Sequence, residues 1–172
     1  MIATVRLTRK EDVPLLPAIE HSAGQVFRAF PSLAWIADDT VQTAGEHLQF
    51  VQSGTSWVAV DIHDRPLGFL TGQVFDQEFH ICQVAVHRAQ QGHGYGRALI
   101  ESAIAWAKAQ ELAAITLTTF REVPWNAPFY TSLGFEALEQ AQLCARLLET
   151  LRREVEHGLP EAQRCAMRLK LS

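Results

Sequence analysis

Between two strand-like segments, EFHICQVAVH at 78–87 and the β-branched AAITLTTF at 113–120, stands a stretch that can continue neither of them. It is the glycine-containing turn QQGHGYG followed by RALIESAIAWAKAQ at 97–110, where Ile100, Ala103, Ile104 and Ala107 recur at helical spacing on one face. A helix set between two strands is a crossover, and a crossover joins parallel neighbours. Upstream, TSWVAVDI at 55–62 and RPLGFLTGQVF at 65–75 flank a short His63-Asp64 turn, the pattern of an antiparallel hairpin. A chain that holds both must build a mixed sheet. The expected fold is therefore an α/β domain with a mixed, mostly antiparallel sheet of about six or seven strands and helices on both faces.

The other segments fit that frame. ATVRLTR at 3–9 alternates as a half-buried strand, and Glu11-Asp12 ahead of an apolar stretch marks a helix start. Residues 21–40 carry Phe27, Phe30, Trp35 and Ile36 with Pro31 and the Asp38-Asp39 pair, and a helical segment follows at 41–52. A short helix is expected at 126–133, stopped by Gly134, then a strand at 135–139. Leu147, Leu148, Leu151 and Val155 line one face of a helix at 141–157, ended by Gly158 and Pro160, and RCAMRLKL at 164–171 is the last strand. Nothing divides the 172 residues, so one domain over 1–172 is expected.

Composition excludes several classes of function. A formal net charge of −4 does not by itself attract a polyanion, so nucleic acid is not an expected partner. Apolar runs such as WVAV at 57–60 fall far short of the roughly 20 residues that span a bilayer. Arg6, Arg9 and Lys10 interrupt the N-terminal segment where a secretory leader is apolar, and the expected compartment is the cytoplasm. Cys82, Cys144 and Cys165 are odd in number and widely spaced, which suits small buried hydrophobes better than a disulfide framework. His87 and His93 belong to no metal-ligand pattern, and no metal is expected.

The turn at 90–99, QQGHGYGRAL, is the most informative segment. Glycines at 92, 94 and 96 allow positive φ and a close backbone approach, and the first N–H groups of the following helix are unpaired. Such a turn suits a phosphate. It is not the dinucleotide fingerprint, whose third glycine would fall at Arg97 or Leu99, nor a P-loop, which needs Gly-Lys-Ser/Thr where the chain has Arg97, Ala98 and Leu99. The pattern present is Q-x-x-G-x-G, made by Gln91, Gly94 and Gly96.

On this turn, together with VPWNAPFYTSLGF at 123–135, the sequence resembles the GNAT superfamily of N-acetyltransferases. Asn126, Tyr130, Gly134 and Phe135 match that family's N...Y..LGF pattern. The resemblance implies a GNAT-like fold, acetyl-CoA as co-substrate, and transfer of its acetyl group directly to a primary amine of a small molecule, peptide or protein. It assigns Gln91, Gly92, His93, Gly94, Tyr95, Gly96 and Arg97 to the pyrophosphate. Val84, Ala85 and Val86 fall to the pantetheine arm, Asn126 to the cofactor arm, and Tyr130 both to the cofactor, beside its sulfur, and to protonation of the departing thiolate. A structural reading stands beside each: a glycine turn that only connects, and a Tyr130 that only packs.

Many family members place a glutamate base six residues before the last valine of the strand preceding the turn, and here that position is His80. An imidazole of ordinary pKa serves as a base at neutral pH. Glu78 lies two residues earlier on the same strand face. His80 ranks first, Glu78 second and Asp38 or Asp39 third, with bulk water as the alternative that needs no side chain. Arg88, Arg97 and Arg121 are candidate phosphate partners, Arg97 foremost. Phe27, Phe30, Trp35, Trp57, Phe75 and Trp125 are candidates for an acceptor pocket or for the core. The helix at 141–157 is a candidate lid, homodimer contact or packed helix. A transferase for another acyl group and a non-catalytic acyl-CoA sensor are the alternatives.

Overall fold

The computed structural model describes residues 3–171. Its seven-stranded sheet runs in the order β1-β2-β3-β4-β5-β7-β6. The strands are β1 (Thr4–Leu7), β2 (Ser56–Val60), β3 (Pro66–Phe75), β4 (Glu78–Val86), β5 (Ala114–Phe120), β6 (Glu136–Ala137) and β7 (Arg164–Lys170). The helices are α1 (Leu16–Gly24), α2 (Ala44–Ser53), α3 (Tyr95–Ala109), α4 (Ala127–Ser132) and α5 (Ala145–Glu156). β4 pairs with β5 in parallel, His80 opposite Thr116, so α3 is the crossover the periodicity requires. Packing separates two compact units, one running to Gln73 and including Ile81–Trp106, the other made of Val74–His80 and the chain from Ala107 onward.

In the first unit, β2 lies between β1 and β3 with antiparallel register, Trp57 opposite both Leu7 and Leu70. Every residue of β2 is buried, as a strand flanked by neighbours and covered by helices must be. Leu16 and Ile19 of α1 pack on Val58, Val60, Phe69 and Ala85. The Glu11-Asp12 start forms a 3-10 helix over Lys10–Leu15 rather than an α-helix, with Pro14 inside it. Asp12 accepts from the Arg9 N–H at 2.7 Å and pairs with Arg6 at 2.8 Å, and the α-helix begins only at Leu16. Residues 25–38, the aromatic region, form two further 3-10 helices. Thr43 and Glu46 cap α2 reciprocally, and Gly54 ends it with φ +72°.

In the second unit, β5 pairs with β7 along its full length, and β6 adds only two residues at the edge. The strand expected over 135–139 is shorter because Leu138 already turns towards the core with Leu147 and Ala166. Gly134 stops the α4 segment with φ +100°. The helix expected over 141–157 is α5, preceded by a separate 3-10 turn at Gln140–Gln142. Leu147 is buried and Leu151 packs beside it, whereas Leu148 and Val155 are exposed, so only half of the apolar stripe is covered. Cys165 is buried, but Cys82 and Cys144 are exposed, which corrects the expectation of three buried thiols. Trp57 belongs to the core, while Trp35 and Trp125 are exposed.

Candidate active site

The strand β4 ends at Val86, and a 3-10 turn of three residues, Arg88–Gln90, leads into the glycine segment. Contacts from side chains fasten this junction. The Gln91 side-chain amide donates to the Val86 carbonyl at 3.0 Å, and the Arg88 N–H donates to the Ser22 hydroxyl of α1 at 3.0 Å. Gly92 and Gly94 take φ +82° and +86°, which explains why glycine stands at both. Gly96 does not: it lies inside α3 with ordinary helical backbone, which corrects the expectation of positive φ there. The first helical bond runs from the Ala98 N–H to the Gly94 carbonyl at 3.0 Å. Among the described residues, the backbone N–H groups from Gly92 to Arg97 have no acceptor. A Cβ at Gly92 or Gly94 would meet nothing within 4 Å. The segment is thus an open row of N–H donors at the positive end of a helix of 15 residues.

His93 and Arg97 are exposed beside this row and Tyr95 is buried beneath it. The Arg97 guanidinium is engaged on the helix surface, donating to Glu101 at 3.0 Å. Val84 and Val86 are half-buried and Ala85 is in the core. Gly68, which no motif singles out, shapes this strand end. A Cβ on Gly68 would lie 2.9 Å from the Ala85 carbonyl oxygen and 3.3 Å from the Val86 Cα, so β3 approaches β4 more closely than any side chain permits.

Asn126 and Tyr130 belong to the second unit. Asn126 precedes α4, and its Oδ1 accepts from the Thr119 hydroxyl at 2.5 Å, tying it to β5. The Asn126 carbonyl accepts from the Tyr130 N–H at 3.0 Å, and the Tyr130 carbonyl accepts from the Phe135 N–H at 3.1 Å. The Tyr130 ring packs edge-on against Phe135 with centroids 5.7 Å apart. Burial pushes the phenol up to about 12, against a smaller opposing effect of the Arg164 charge, so the hydroxyl keeps its proton at neutral pH.

His80 and Glu78 do share one face of β4, and both meet Arg146 of α5. The guanidinium Nη2 donates to Glu78 Oε1 at 2.9 Å and to Thr116 Oγ1 at 3.3 Å, while Nη1 lies 3.2 Å from His80 Nδ1. Arg168 of β7 holds the other Glu78 oxygen at 2.5 Å. His80 is 8% exposed, and burial with the Arg146 charge lowers its pKa from 6.5 to about 4. The ordinary imidazole pKa for which it ranked first is not the one this environment gives. Asp38 pairs with Arg28 at 2.7 Å, far out on the surface.

The Acetyltransferase (GNAT) family matches residues 24–135, more than half of the chain. The chain belongs to the GNAT acetyltransferase family. It is an acyltransferase by that membership, and the matched stretch carries both the glycine turn and the NxxxY element. Solved structures of GNAT proteins share the fold. The Rv2747 protein from Mycobacterium tuberculosis, in complex with CoA, is 22% identical with a TM-score of 0.72, covering 98% of this chain and 99% of its own. The PaiA N-acetyltransferase from Thermoplasma acidophilum, in complex with coenzyme A, is 15% identical with a TM-score of 0.70 and covers 99% of each chain. A phosphinothricin acetyltransferase from Sinorhizobium meliloti, in complex with acetyl-CoA, is 16% identical with a TM-score of 0.71, covering 100% of this chain and 90% of its own.

Among the described residues no three His, Cys, Asp or Glu side chains gather as a metal site, and no helix is long and apolar enough to cross a membrane. A cleft of about 360 Å³ at the β6–β7 edge is lined by Glu136, Gln142, Arg168 and Lys170, and none of the residues expected in the GNAT site lines it.

Proposed function

We propose that this GNAT protein moves the acetyl group of acetyl-CoA directly to a primary amine of a small molecule, peptide or protein. The observation that carries the reading is the row of unpaired N–H groups from Gly92 to Arg97, with positive φ at Gly92 and Gly94 and open space where side chains would stand. Those donors fit a pyrophosphate, which needs several N–H groups converging on charged oxygens. Acetyl-CoA supplies an activated thioester; the chain supplies binding, orientation and a proton.

Each role is assigned residue by residue. Gln91 holds the turn against the end of β4 through the Val86 carbonyl, and Gly92, His93, Gly94, Tyr95, Gly96 and Arg97 present backbone donors to the pyrophosphate. Val84, Ala85 and Val86 serve the pantetheine arm. Asn126, fixed by Thr119, contacts the cofactor arm. Tyr130 gives its proton to the leaving sulfur as the C–S bond breaks, and regains one from the solvent that receives the amine's proton, so protons balance over a turnover. With a phenol held near 12, Tyr130 stays loaded throughout the physiological range. Water takes the amine proton in this reading, because His80 is neutral and weakly basic and Glu78 already accepts from two guanidiniums.

The test is a thiol-release assay with acetyl-CoA and a panel of amino acids, polyamines and peptides with free N-termini. Release that depends on both acetyl-CoA and an amine, with the acetylated amine found by mass spectrometry, is the expected result. Binding of acetyl-CoA without release for any amine would favour the sensor, and release only with a longer acyl-CoA would favour a different acyl donor. The cytoplasm, where acetyl-CoA and such amines meet, is the proposed compartment.

A further inference from the structure

Arg146 lies on α5, outside the stretch matched by the GNAT family, yet it reaches the two β4 residues that a base would occupy. It is largely buried, its side chain 19% exposed, with its guanidinium 4.6 Å above the Phe75 ring of β3. An arginine has five N–H donors and no acceptor. Any ring nitrogen that faces it at hydrogen-bond distance must therefore offer a lone pair. His80 Nδ1 faces Arg146 Nη1 at 3.2 Å and the Thr116 hydroxyl at 2.9 Å. That hydroxyl in turn accepts from Arg146 Nη2 at 3.3 Å, which leaves its own proton directed to Nδ1. Two donors thus converge on one lone pair, and the imidazole proton is confined to Nε2.

We propose that Arg146 is a positioning residue that locks His80 as the neutral Nε2–H tautomer, making this imidazole a hydrogen-bond donor at Nε2 and not the acceptor of the amine's proton. Among the groups facing His80 are Arg146 from α5, Thr116 from β5, Phe75 from β3 and, through the shared guanidinium, Glu78 of its own strand, whose second oxygen is held by Arg168 of β7. The Glu78 carboxylate, shared by the guanidiniums of Arg146 and Arg168, offsets part of the charge that faces the ring. Burial and the guanidinium act in the same direction on the ring's proton affinity, lowering it.

The lock itself is independent of catalysis; its consequence for transfer rests on the acetyltransferase reading. The experiment is 15N NMR of the histidine side chains in the full chain, followed from pH 5 to 8. His80 is assigned by its loss in His80→Asn. The expected result is a single Nε2–H tautomer with no midpoint in that range. In Arg146→Met the Nδ1–H form appears and protonated imidazole becomes visible at the acid end of that range, because a like charge has gone and Glu78 has lost one partner. Arg146→Lys keeps the charge but not the fork, and retains part of the shift. A wild-type His80 that carries its proton on Nδ1, or that titrates near the ordinary imidazole value, overturns the lock. So does an Arg146→Met protein, folded by its amide spectrum, whose His80 is unchanged. In the kinetic arm, a wild-type pH–rate profile with an ionisation that disappears in His80→Asn would restore His80 as the base and overturn the proposal. A protein inactive with every amine but with His80 locked refutes the transfer reading alone.

Discussion

Acid should destabilise this protein through His80 by an amount the structure fixes. The imidazole titrates near 6.5 when unfolded and at about 4 when folded. A folded pKa below the unfolded one means that the unfolded chain binds the proton first as pH falls. Stability is therefore intact above pH 6.5, is lost as pH falls from there to about 4, and does not change further below that. At about 1.4 kcal/mol per unit, the whole loss is about 3 kcal/mol. The bare pH profile will not show it cleanly. Glu20, whose carboxylate accepts from the Gln42 N–H at 2.9 Å, is raised by burial from 4.5 to about 7 and acts with the opposite sign, losing stability as pH rises. His47, fully buried and with neither ring nitrogen hydrogen-bonded among the described residues, is lowered by burial and adds to the acid loss. The comparison with His80→Asn separates these, because asparagine offers Oδ1 to Arg146 and Thr116 but does not titrate. In urea unfolding between pH 7.5 and 4, the stability of wild type relative to His80→Asn should fall by about 3 kcal/mol towards acid. A difference that stays flat, or that rises towards acid, would refute the assignment of a depressed His80.

Tyr130→Phe should lower kcat by roughly 100-fold or more while leaving acetyl-CoA affinity within about twofold, since it removes the general acid and keeps the ring; unchanged turnover removes Tyr130 from that role. Gly94→Val places a β-branched residue at φ +86° and should weaken acetyl-CoA binding by about tenfold or more through the turn's conformation, as no neighbour stands close enough to clash. Calorimetry decides it, and an unaltered affinity would place the cofactor elsewhere. Gly68→Ala should cost roughly 1–3 kcal/mol in thermal unfolding, because the new methyl meets the Ala85 carbonyl at 2.9 Å; a neutral result would refute the close approach of β3 to β4.

The crossover was legible because a 3.6-residue stripe, α3, stands between two strand-like segments, β4 and the β-branched run of β5. The glycine turn was legible as a turn for the same reason, and the positive φ at Gly92 and Gly94 follows from its place between a strand and a helix. Its detail was not, and Gly96 shows why: spacing counts glycines but does not say which of them the helix has already absorbed. The exposure of Cys82 and Cys144 depends on what covers a strand and a helix start, which residue type does not reveal. The environment of His80 was invisible because Arg146 lies 66 positions away and meets it only through tertiary packing. Gly68 is an isolated glycine within a strand pattern, the sequence mark of a bulge or a close backbone approach. Half of the stripe on α5 is exposed because periodicity defines a face and not its depth of burial.

The central claim is that the unpaired N–H row at 92–97 binds the pyrophosphate of acetyl-CoA. The most direct measurement is a titration of 15N-labelled protein with acetyl-CoA, and separately with NAD and ATP, following the backbone amides alongside calorimetry. The account requires saturable binding of acetyl-CoA near one site per chain, with the largest amide shifts at Gly92 to Arg97 and weaker binding of the other two nucleotides. Absent binding, or shifts that spare those amides, would contradict it and leave the turn as a connection between β4 and α3.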